Sequence, residues 1–518
     1  MIQNRRDFLR VLGWGISTLA LSDLPMCTRR AKKFPNIVYL IADDMGYGDI
    51  SCLNPESKIK TPHIDLLASE GMVFTDAHAG SAVCTPTRYG ILTGRYCWRS
   101  RLQKGVLWGY SPHLIDRERM TVASLLKQNG YRTACIGKWH LGLDWVTHDG
   151  YRFSDSSDET GEHIDFTQPV FNGPLDLGFD YFFGIPASLD MVPYVYIEND
   201  QVVEAPTGFI EGKKGLRFYR SGPIAPGFEL DEVMPTFTKK AVDFIEKHVE
   251  SGSEDPFFLY FPFSAPHTPI LPVKKFQGKT AIGPYGDFVI QCDGTIGEIM
   301  KALDRNGLSE NTLVIVTSDN GCSPMADFDA LAAKGHKPSF HFRGYKSDIF
   351  EGGHRIPYLV RWPDKVRPGS SCDDTICLTD LLATVADVLG SKLPEDAGED
   401  SISILPDLLG KATGPLREAT VHHSINGSFS VRQGRWKLEL CPGSGGWSYP
   451  QPDEARRLGL PGIQLYDLTQ DIAERENLQS NHPEVIERLV RLLERYVTDG
   501  RSTPGQPQAN EVPVDIWK

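Results

Sequence analysis

The 518-residue sequence predicts an α/β protein: a large, doubly wound mixed β-sheet flanked by helices, with a smaller C-terminal α+β subdomain. Three observations predict it. Four short apolar runs each stop at a cluster of charged or polar residues. Helix signals fill the stretches between them, as the alternating units of an open sheet require. Beyond Gly390 the alternation gives way to closely spaced strands and one amphipathic helix.

Residues 37–42 form a continuous aliphatic and aromatic run, the mark of a central parallel strand buried on both faces, and lead into Asp43-Asp44. Thr61-Pro62 opens a helix that stops at Gly71, Pro being favoured where the first N–H groups have no helical partner. Thr121 opens another over 122–129, with Val122, Leu125 and Leu126 on one face. Residues 131–136 form a second strand, ending at Gly137-Lys138-Trp139-His140. From 141 to 235 Asp, Gly, Pro and aromatic residues dominate, as in a loop-rich insertion over a site. The strands at 257–263 and 312–317 end at Ser264-Ala265-Pro266-His267 and at Ser318-Asp319-Asn320-Gly321. Open α/β sheets bind ligands along the carboxyl ends of their strands, so these four ends are expected to meet in a catalytic domain spanning 34–390. In the subdomain at 391–518, residues 429–431 and 436–440 form a hairpin around Gln433-Gly434. A strand at 465–468 and a helix at 482–497 complete it.

Lys and Arg number 54 against 67 Asp and Glu, a net charge of −13, which argues against nucleic-acid binding and against a polybasic membrane surface. An anionic substrate must therefore be held by a few focused cations. No apolar run reaches the ~18 residues of a transmembrane span. At the N-terminus, Arg5-Arg6 followed by Phe8-Leu9 and a weakly apolar stretch to Leu21 resembles a twin-arginine export signal over residues 1–31. This implies the twin-arginine export machinery as a partner and a periplasmic or secreted location. Lipid anchoring at Cys27 is disfavoured, because Leu24-Pro25-Met26 lacks the small residues such a site needs. Cys372 and Cys377 are close enough in sequence to bridge, but a protein exported folded is not expected to depend on disulfides.

Asp43-Asp44 and Asp319-Asn320 offer three carboxylates and an amide oxygen, a hard-oxygen set suited to calcium or magnesium. Acidic residues at strand ends also cap helices, but two such pairs on one sheet edge favour a cation. Cys84-Thr85-Pro86-Thr87-Arg88 places Cys84 at a positive helix terminus with Arg88 one turn along, a position that binds anions and activates nucleophiles.

This string resembles the C/S-x-P-x-R signature of the type I, formylglycine-dependent sulfatases of the alkaline phosphatase superfamily. Gly130-Tyr131 leading to Gly137-Lys138-Trp139-His140 is similar to their second signature. Arg343-Gly344-Tyr345-Lys346, the stretch from Glu351 to Pro357, and Leu465-Tyr466-Asp467-Leu468 with Asn477-Leu478 extend the resemblance to about residue 478. The resemblance implies an alkaline phosphatase-like fold and an arylsulfatase-like sulfuric ester hydrolase. Cys84 would be converted to formylglycine (3-oxoalanine) by a formylglycine-generating maturation enzyme, its hydrate acting as the nucleophile. Asp43, Asp44, Asp319 and Asn320, with the modified Cys84, would bind one calcium ion. Arg88 would support the hydrate; Lys138 and Lys346 would bind sulfate oxygens. His140 would deprotonate the second hydroxyl so that sulfate is expelled, and His267 would protonate the leaving alcohol.

The expected substrate is a sulfated saccharide or an aryl sulfate. Trp98, Arg99, Arg101, Trp108, Tyr110 and His113 form an aromatic and basic stretch after the nucleophile helix, and His336, His341 and Arg343 lie near Lys346. Of these, Trp108, His336, His341 and Arg343 are the candidate substrate-binding residues. Two other functions are carried alongside. A phosphonate or phosphate ester hydrolase of the same superfamily is disfavoured because Asp319-Asn320-Gly321-Cys322 lacks the histidine of two-zinc relatives. A non-catalytic glycan-binding protein would have lost site residues, and none is missing.

Overall fold

The computed structural model describes residues 34–155 and 160–517, so the export-signal reading at 1–31 and Cys27 lie outside the described residues. The main sheet has ten strands, of which six matter for the site: β1 (Asn36–Asp43), β2 (Arg132–Lys138), β3 (Tyr181–Ile185), β4 (Phe257–Pro266), β5 (Thr312–Ser318) and β6 (Tyr358–Arg361). They are ordered β6-β5-β1-β4-β2-β3 across the sheet. From β5 to β3 every neighbouring pair is parallel, while β6 runs antiparallel to β5. The four apolar runs are thus the four adjacent central strands, and their carboxyl ends share one edge. Every residue of β1, β4 and β5 is buried, which explains why none shows a polar alternate position.

Helices cover both faces, as a parallel sheet requires. On one side α1 (Pro62–Glu70), α4 (Val233–Glu250) and α5 (Pro284–Arg305) pack together against the strands. On the other, α2 (Cys84–Thr93) and α3 (Val122–Gln128) pack with α6 (Leu381–Leu389). Thr121 caps α3 by accepting from the Ser124 N–H. All ten residues of α2 are buried, so its polar residues serve the interior, and Gly94 ends it in the left-handed region at φ +64°.

The segment at 141–235 is not wholly the loop-rich insertion its composition suggests. It contributes β3 and two short strands, Ile197–Glu198 and Gln201–Val202, to one edge of the main sheet. Its remaining loops deliver Ser188 and Asp190 to the site described below.

Near the C-terminus a separate four-stranded antiparallel sheet is formed by β7 (Thr420–His423), β8 (Phe429–Gln433), β9 (Trp436–Glu439) and β10 (Gln464–Asp467). It is covered by α7 (Pro483–Thr498). Leu489, Leu493 and Tyr496 of α7 meet Val421, Phe429, Val431 and Leu438, and each fully buried leucine contributes about 1.5–3 kcal/mol. Tyr96 and Trp98 join the same core, their rings stacked with centroids 5.7 Å apart. The described cysteines, Cys372 and Cys377 included, are free thiols.

Candidate active site

The loops after β1, β2, β4 and β5 converge on the N-terminus of α2. Cys84, its first residue, lies with its Sγ 3.3 Å from Lys346 Nζ and 3.6 Å from Asp43 Oδ1. Lys346 Nζ also donates to Asp44 Oδ2 at 2.8 Å, and Lys138 Nζ donates to Asp43 at 2.8 and 3.0 Å. Arg88 clamps Asp319 Oδ2 through Nε (3.1 Å) and a terminal nitrogen (2.7 Å), and its other nitrogen donates to the Lys138 carbonyl. Three carboxylates therefore face three permanent cations, all out of water. Asn320 Nδ2 donates to Asp44 Oδ1 at 2.7 Å.

Local backbone geometry sets these positions. Asp44 and His140 adopt φ +69° and +59°, a conformation non-glycine residues hold only where their surroundings over-determine it. Gly137 brings β2 against β4 so closely that a Cβ there would lie 1.8 Å from the Pro262 carbonyl oxygen. Only glycine permits that approach, and Lys138 follows directly from it.

Burial acts on each titratable group. It would raise Asp43, but Lys138, His267, Arg88 and Lys346 outweigh it and hold that carboxyl well below its usual range. Burial and the neighbouring Asp43 charge push Asp319 up despite Arg88. Lys346 loses solvent yet stays firmly protonated beside Asp44 and Asp43. Burial pushes the Cys84 thiol up to about 12 against Lys138 and Lys346. As a thiol, Cys84 is therefore not ionised at neutral pH and is a poor nucleophile.

The two histidines differ. His140 Nε2 donates to the Leu107 carbonyl at 2.8 Å, which leaves Nδ1 with a free lone pair, buried and unpartnered. Burial, with Lys138 and Arg88 nearby, holds His140 well below its ordinary value, so it is a neutral base. His267 donates from Nδ1 to the Thr268 carbonyl at 2.7 Å and turns Nε2 toward Asp44 Oδ2, 3.6 Å away.

A divalent cation fits these residues. Donor atoms of Asp43, Asp44, Cys84 and His267 all lie within 4.8 Å of one another. Asn320 Oδ1 is buried with no partner, an oxygen that costs free energy unless something is bound to it. Asp319 is the member most occupied by protein partners, accepting from Arg88 and from the Asp44 N–H.

The four candidate substrate-binding residues separate. His341 and Arg343 line a cleft of about 860 Å³ together with Lys337 and Arg475. Trp108 is half-buried beneath the Arg220 guanidinium, 4.6 Å from its ring centroid. His336 does not face any substrate space: it is fully buried, and Nε2 meets Asp49 Oδ1 at 2.8 Å while Nδ1 accepts from the Lys58 N–H. The aromatic and basic stretch after α2 is mostly structural as well. Trp98 sits in the C-terminal core, Arg99 is buried against Asp400 at 2.8 Å, and His113 is held by Asp144 at 2.9 Å.

Sequence reading missed Ser188 and Asp190. Ser188 Oγ lies 3.2 Å from Lys138 Nζ and 3.3 Å from His267 Nδ1, and Asp190 Oδ1, buried and unpartnered, lies 4.0 Å from the same nitrogen. Both come from the loop after β3, and no strand-end pattern marks them.

Sheet, helix and convergent strand ends define a hydrolase-type site on an alkaline phosphatase-like fold, and comparison with known proteins narrows the class. The sequence profile of the sulfatase family matches residues 35–391. N-acetylgalactosamine-6-O-sulfatase from Bacteroides thetaiotaomicron is 37% identical over 90% of this chain and 93% of its own length. Arylsulfatase H from Homo sapiens is 28% identical over 95% of both. A solved sulfatase structure from a study of glycosaminoglycan metabolism in Bacteroides thetaiotaomicron superposes with a TM-score of 0.77 at 36% identity, covering 89% of this chain and 99% of that one. The chain belongs to the sulfatase family. It is an enzyme, a hydrolase of sulfuric esters.

Proposed function

We propose that this sulfatase removes a sulfate ester from a sulfated saccharide, using a formylglycine made from Cys84 and a calcium ion held by Asp43, Asp44, Asp319 and Asn320. The observation that carries the reading is Cys84 itself. Its thiol is walled in between Lys346 and Asp43 and pushed up to about 12, so the residue is useless for nucleophilic attack unless it is modified. The hydrated aldehyde of formylglycine supplies an oxygen nucleophile with a second hydroxyl through which sulfate can leave. A bound divalent cation would lower the pKa of a hydroxyl at that position and add two positive charges to a balanced set of three carboxylates and three cations.

The chain's own residues do the rest. Lys138 and Lys346 present ammonium groups to sulfate oxygens in a water-poor site, where such donors act most strongly. Arg88, fixed by Asp319, keeps a guanidinium behind the nucleophile. His140, neutral and with Nδ1 bare, takes a proton. His267, held through Nδ1 by the Thr268 carbonyl, gives a proton from Nε2 of its doubly protonated ring to the leaving alkoxide as the S–O bond to it breaks. Trp108, His341 and Arg343 remain candidates for contact with the sugar.

The first substrate to test is 6-sulfated N-acetylgalactosamine, on the strength of the Bacteroides relative and of the Mus musculus N-acetylgalactosamine-6-sulfatase, 29% identical over 95% of this chain. Sulfate release from such saccharides and from an aryl sulfate should vanish in Cys84→Ala and fall on chelation. Peptide mass should reveal an aldehyde at position 84. Aldehyde-bearing protein that releases phosphate from esters but no sulfate would move the reading to a phosphoryl or phosphonyl substrate. We also propose export through the twin-arginine route, supported by Arg5-Arg6 and Phe8-Leu9. Among the described residues no helix is long and apolar enough to cross a membrane.

A further inference from the structure

On the face covered by α1, α4 and α5 lies a groove of about 1080 Å³, larger than a small-ligand pocket needs and open to solvent. Five lysines line it: Lys60 before α1, Lys239 on α4, and Lys274, Lys275 and Lys279 on the loop between β4 and α5. Only two acids, Glu232 and Glu298, line it with them. All five lysines are exposed, in a chain whose net charge is −13. Lys239 is paired with Asp243, and Lys275 lies over the Phe276 ring at 4.9 Å. The others extend into solvent. Val242, Val273, Ile290 and Phe276 give the groove an apolar wall.

A concave surface with an apolar wall and a cationic rim is built for a ligand having both apolar faces and repeated negative charges. A polyanion of sugar rings has both, the rings resting on carbon surface and the sulfates meeting ammonium groups. Placement agrees. Lys274, Lys275 and Lys279 belong to the loop that follows His267, the proposed proton donor to the leaving alcohol.

We propose that this groove is a second binding site for a sulfated polysaccharide, holding the chain whose sulfate esters the catalytic site cleaves. The inference rests on the sulfated-saccharide reading above, and its test is independent of turnover. In a full-length Cys84→Ala background, binding of a fluorescent polysaccharide bearing 6-sulfated N-acetylgalactosamine is measured by anisotropy at two salt concentrations. Adding Lys60→Glu, Lys274→Glu and Lys279→Glu should weaken binding about tenfold or more and flatten its salt dependence. The chemically desulfated polymer should bind neither protein. In the active enzyme the same triple substitution should raise KM for the polymer and leave kcat and KM for an aryl sulfate unchanged. Unchanged polymer affinity in the triple variant overturns the proposal even if the enzyme is active. Equal loss of affinity for duplex DNA and for the polysaccharide overturns it in favour of a nonspecific polyanion surface. Absence of sulfate release with the groove's binding intact would instead count against the catalytic reading alone.

Discussion

Two charge clusters lie largely out of water in this chain. One is the proposed catalytic set around Cys84; the other joins the main sheet to the C-terminal sheet. In the second, Asp76 meets His78 (2.7 Å), Arg432 (2.6 Å) and Arg355. Lys437 meets Glu474 (2.6 Å), Glu351 (3.2 Å) and Glu439 (3.3 Å). Four carboxylates face three cations there, and burial, with Glu439 and Glu351 beside it, pushes Glu474 well above its usual range despite Lys437. His78, His354 and His422 put ring nitrogens within 4.8 Å of one another, a spacing a metal can use. Protein partners already meet two of the rings: His78 Nδ1 lies 3.0 Å from His354 Nδ1, and Lys437 Nζ lies 3.1 Å from His354 Nε2. His354 and His422 stack face to face at 3.8 Å and 8°, so their lone pairs run in parallel planes, and three cations stand around them. Both clusters keep buried polar atoms without a hydrogen-bond partner, Asn320 Oδ1 and His140 Nδ1 in the first and His422 Nε2 and Glu439 Oε2 in the second, and both hold non-glycine residues at positive φ, Asp44 and His140 in the first and Glu474 in the second. Neither charge density nor unpartnered polar atoms distinguish the first cluster from a structural joint; what sets it apart is a cysteine at the first turn of a buried helix, with Asp43, Asp44 and His267 from two strand ends gathered around it.

The comparison can be broken most sharply at Cys84. Cys84→Ala should lower sulfate release by about 10⁴-fold or more while the thermal midpoint stays put. His140→Gln should cost about 10²–10⁴-fold in kcat, again with stability retained. Lys437→Met should do the reverse, lowering stability in denaturant titration by about 3–5 kcal/mol because it strands buried carboxylates, with kcat/KM of the folded protein preserved. A Lys437 variant that is stable but inactive would erase the distinction drawn here.

The joint should also carry a pH signature. Burial holds His78, His354 and His422 below their ordinary value in the folded protein, whereas in the unfolded chain they protonate near ~6.5. Their contribution is thus complete above about pH 6.5 and is lost as pH falls below it, by up to about 1.4 kcal/mol per unit per imidazole. Glu474 and Glu439, raised by burial, act in the opposite direction. The difference in stability between wild type and His422→Gln, measured at pH 7.5, 6.5 and 5.5, should therefore shrink toward acid. A constant difference would remove the histidines from the account. The smallest effect is expected at His336→Ala: a stability loss of about 1–3 kcal/mol with KM unchanged, since it serves Asp49 and the Lys58 N–H. Trp108→Ala, by contrast, should change KM for saccharides with little effect on stability.

Much of the proposed catalytic set is legible in sequence because its members come in short local patterns. A buried parallel strand is uniformly apolar, so the polar residues where it stops stand out, and four such stops announced Asp43-Asp44, Lys138 with His140, His267, and Asp319-Asn320. The Cys84 string was legible for a similar reason, being confined to one helical turn. The second cluster draws on residues near 76, 351, 422, 437 and 474, with no spacing that repeats; Glu351, His354 and Arg355 fall in a stretch with family resemblance, but nothing in the sequence joins them to the others. His336 was misread because a histidine on a loop looks the same whether its nitrogens face solvent or a buried carboxylate. Ser188 and Asp190 were missed because the loop that carries them has no period to interrupt.

By itself, then, the sequence determined the strands, their parallel packing and the residues at their ends, since burial on two faces and a cap at a strand terminus are local demands on composition. Only the tertiary structure decided which of those ends meet, which rings turn inward, which polar atoms remain without a partner and where lysines distant in sequence line one groove. Those outcomes depend on distances between segments far apart in the chain, and no local preference of a residue encodes them.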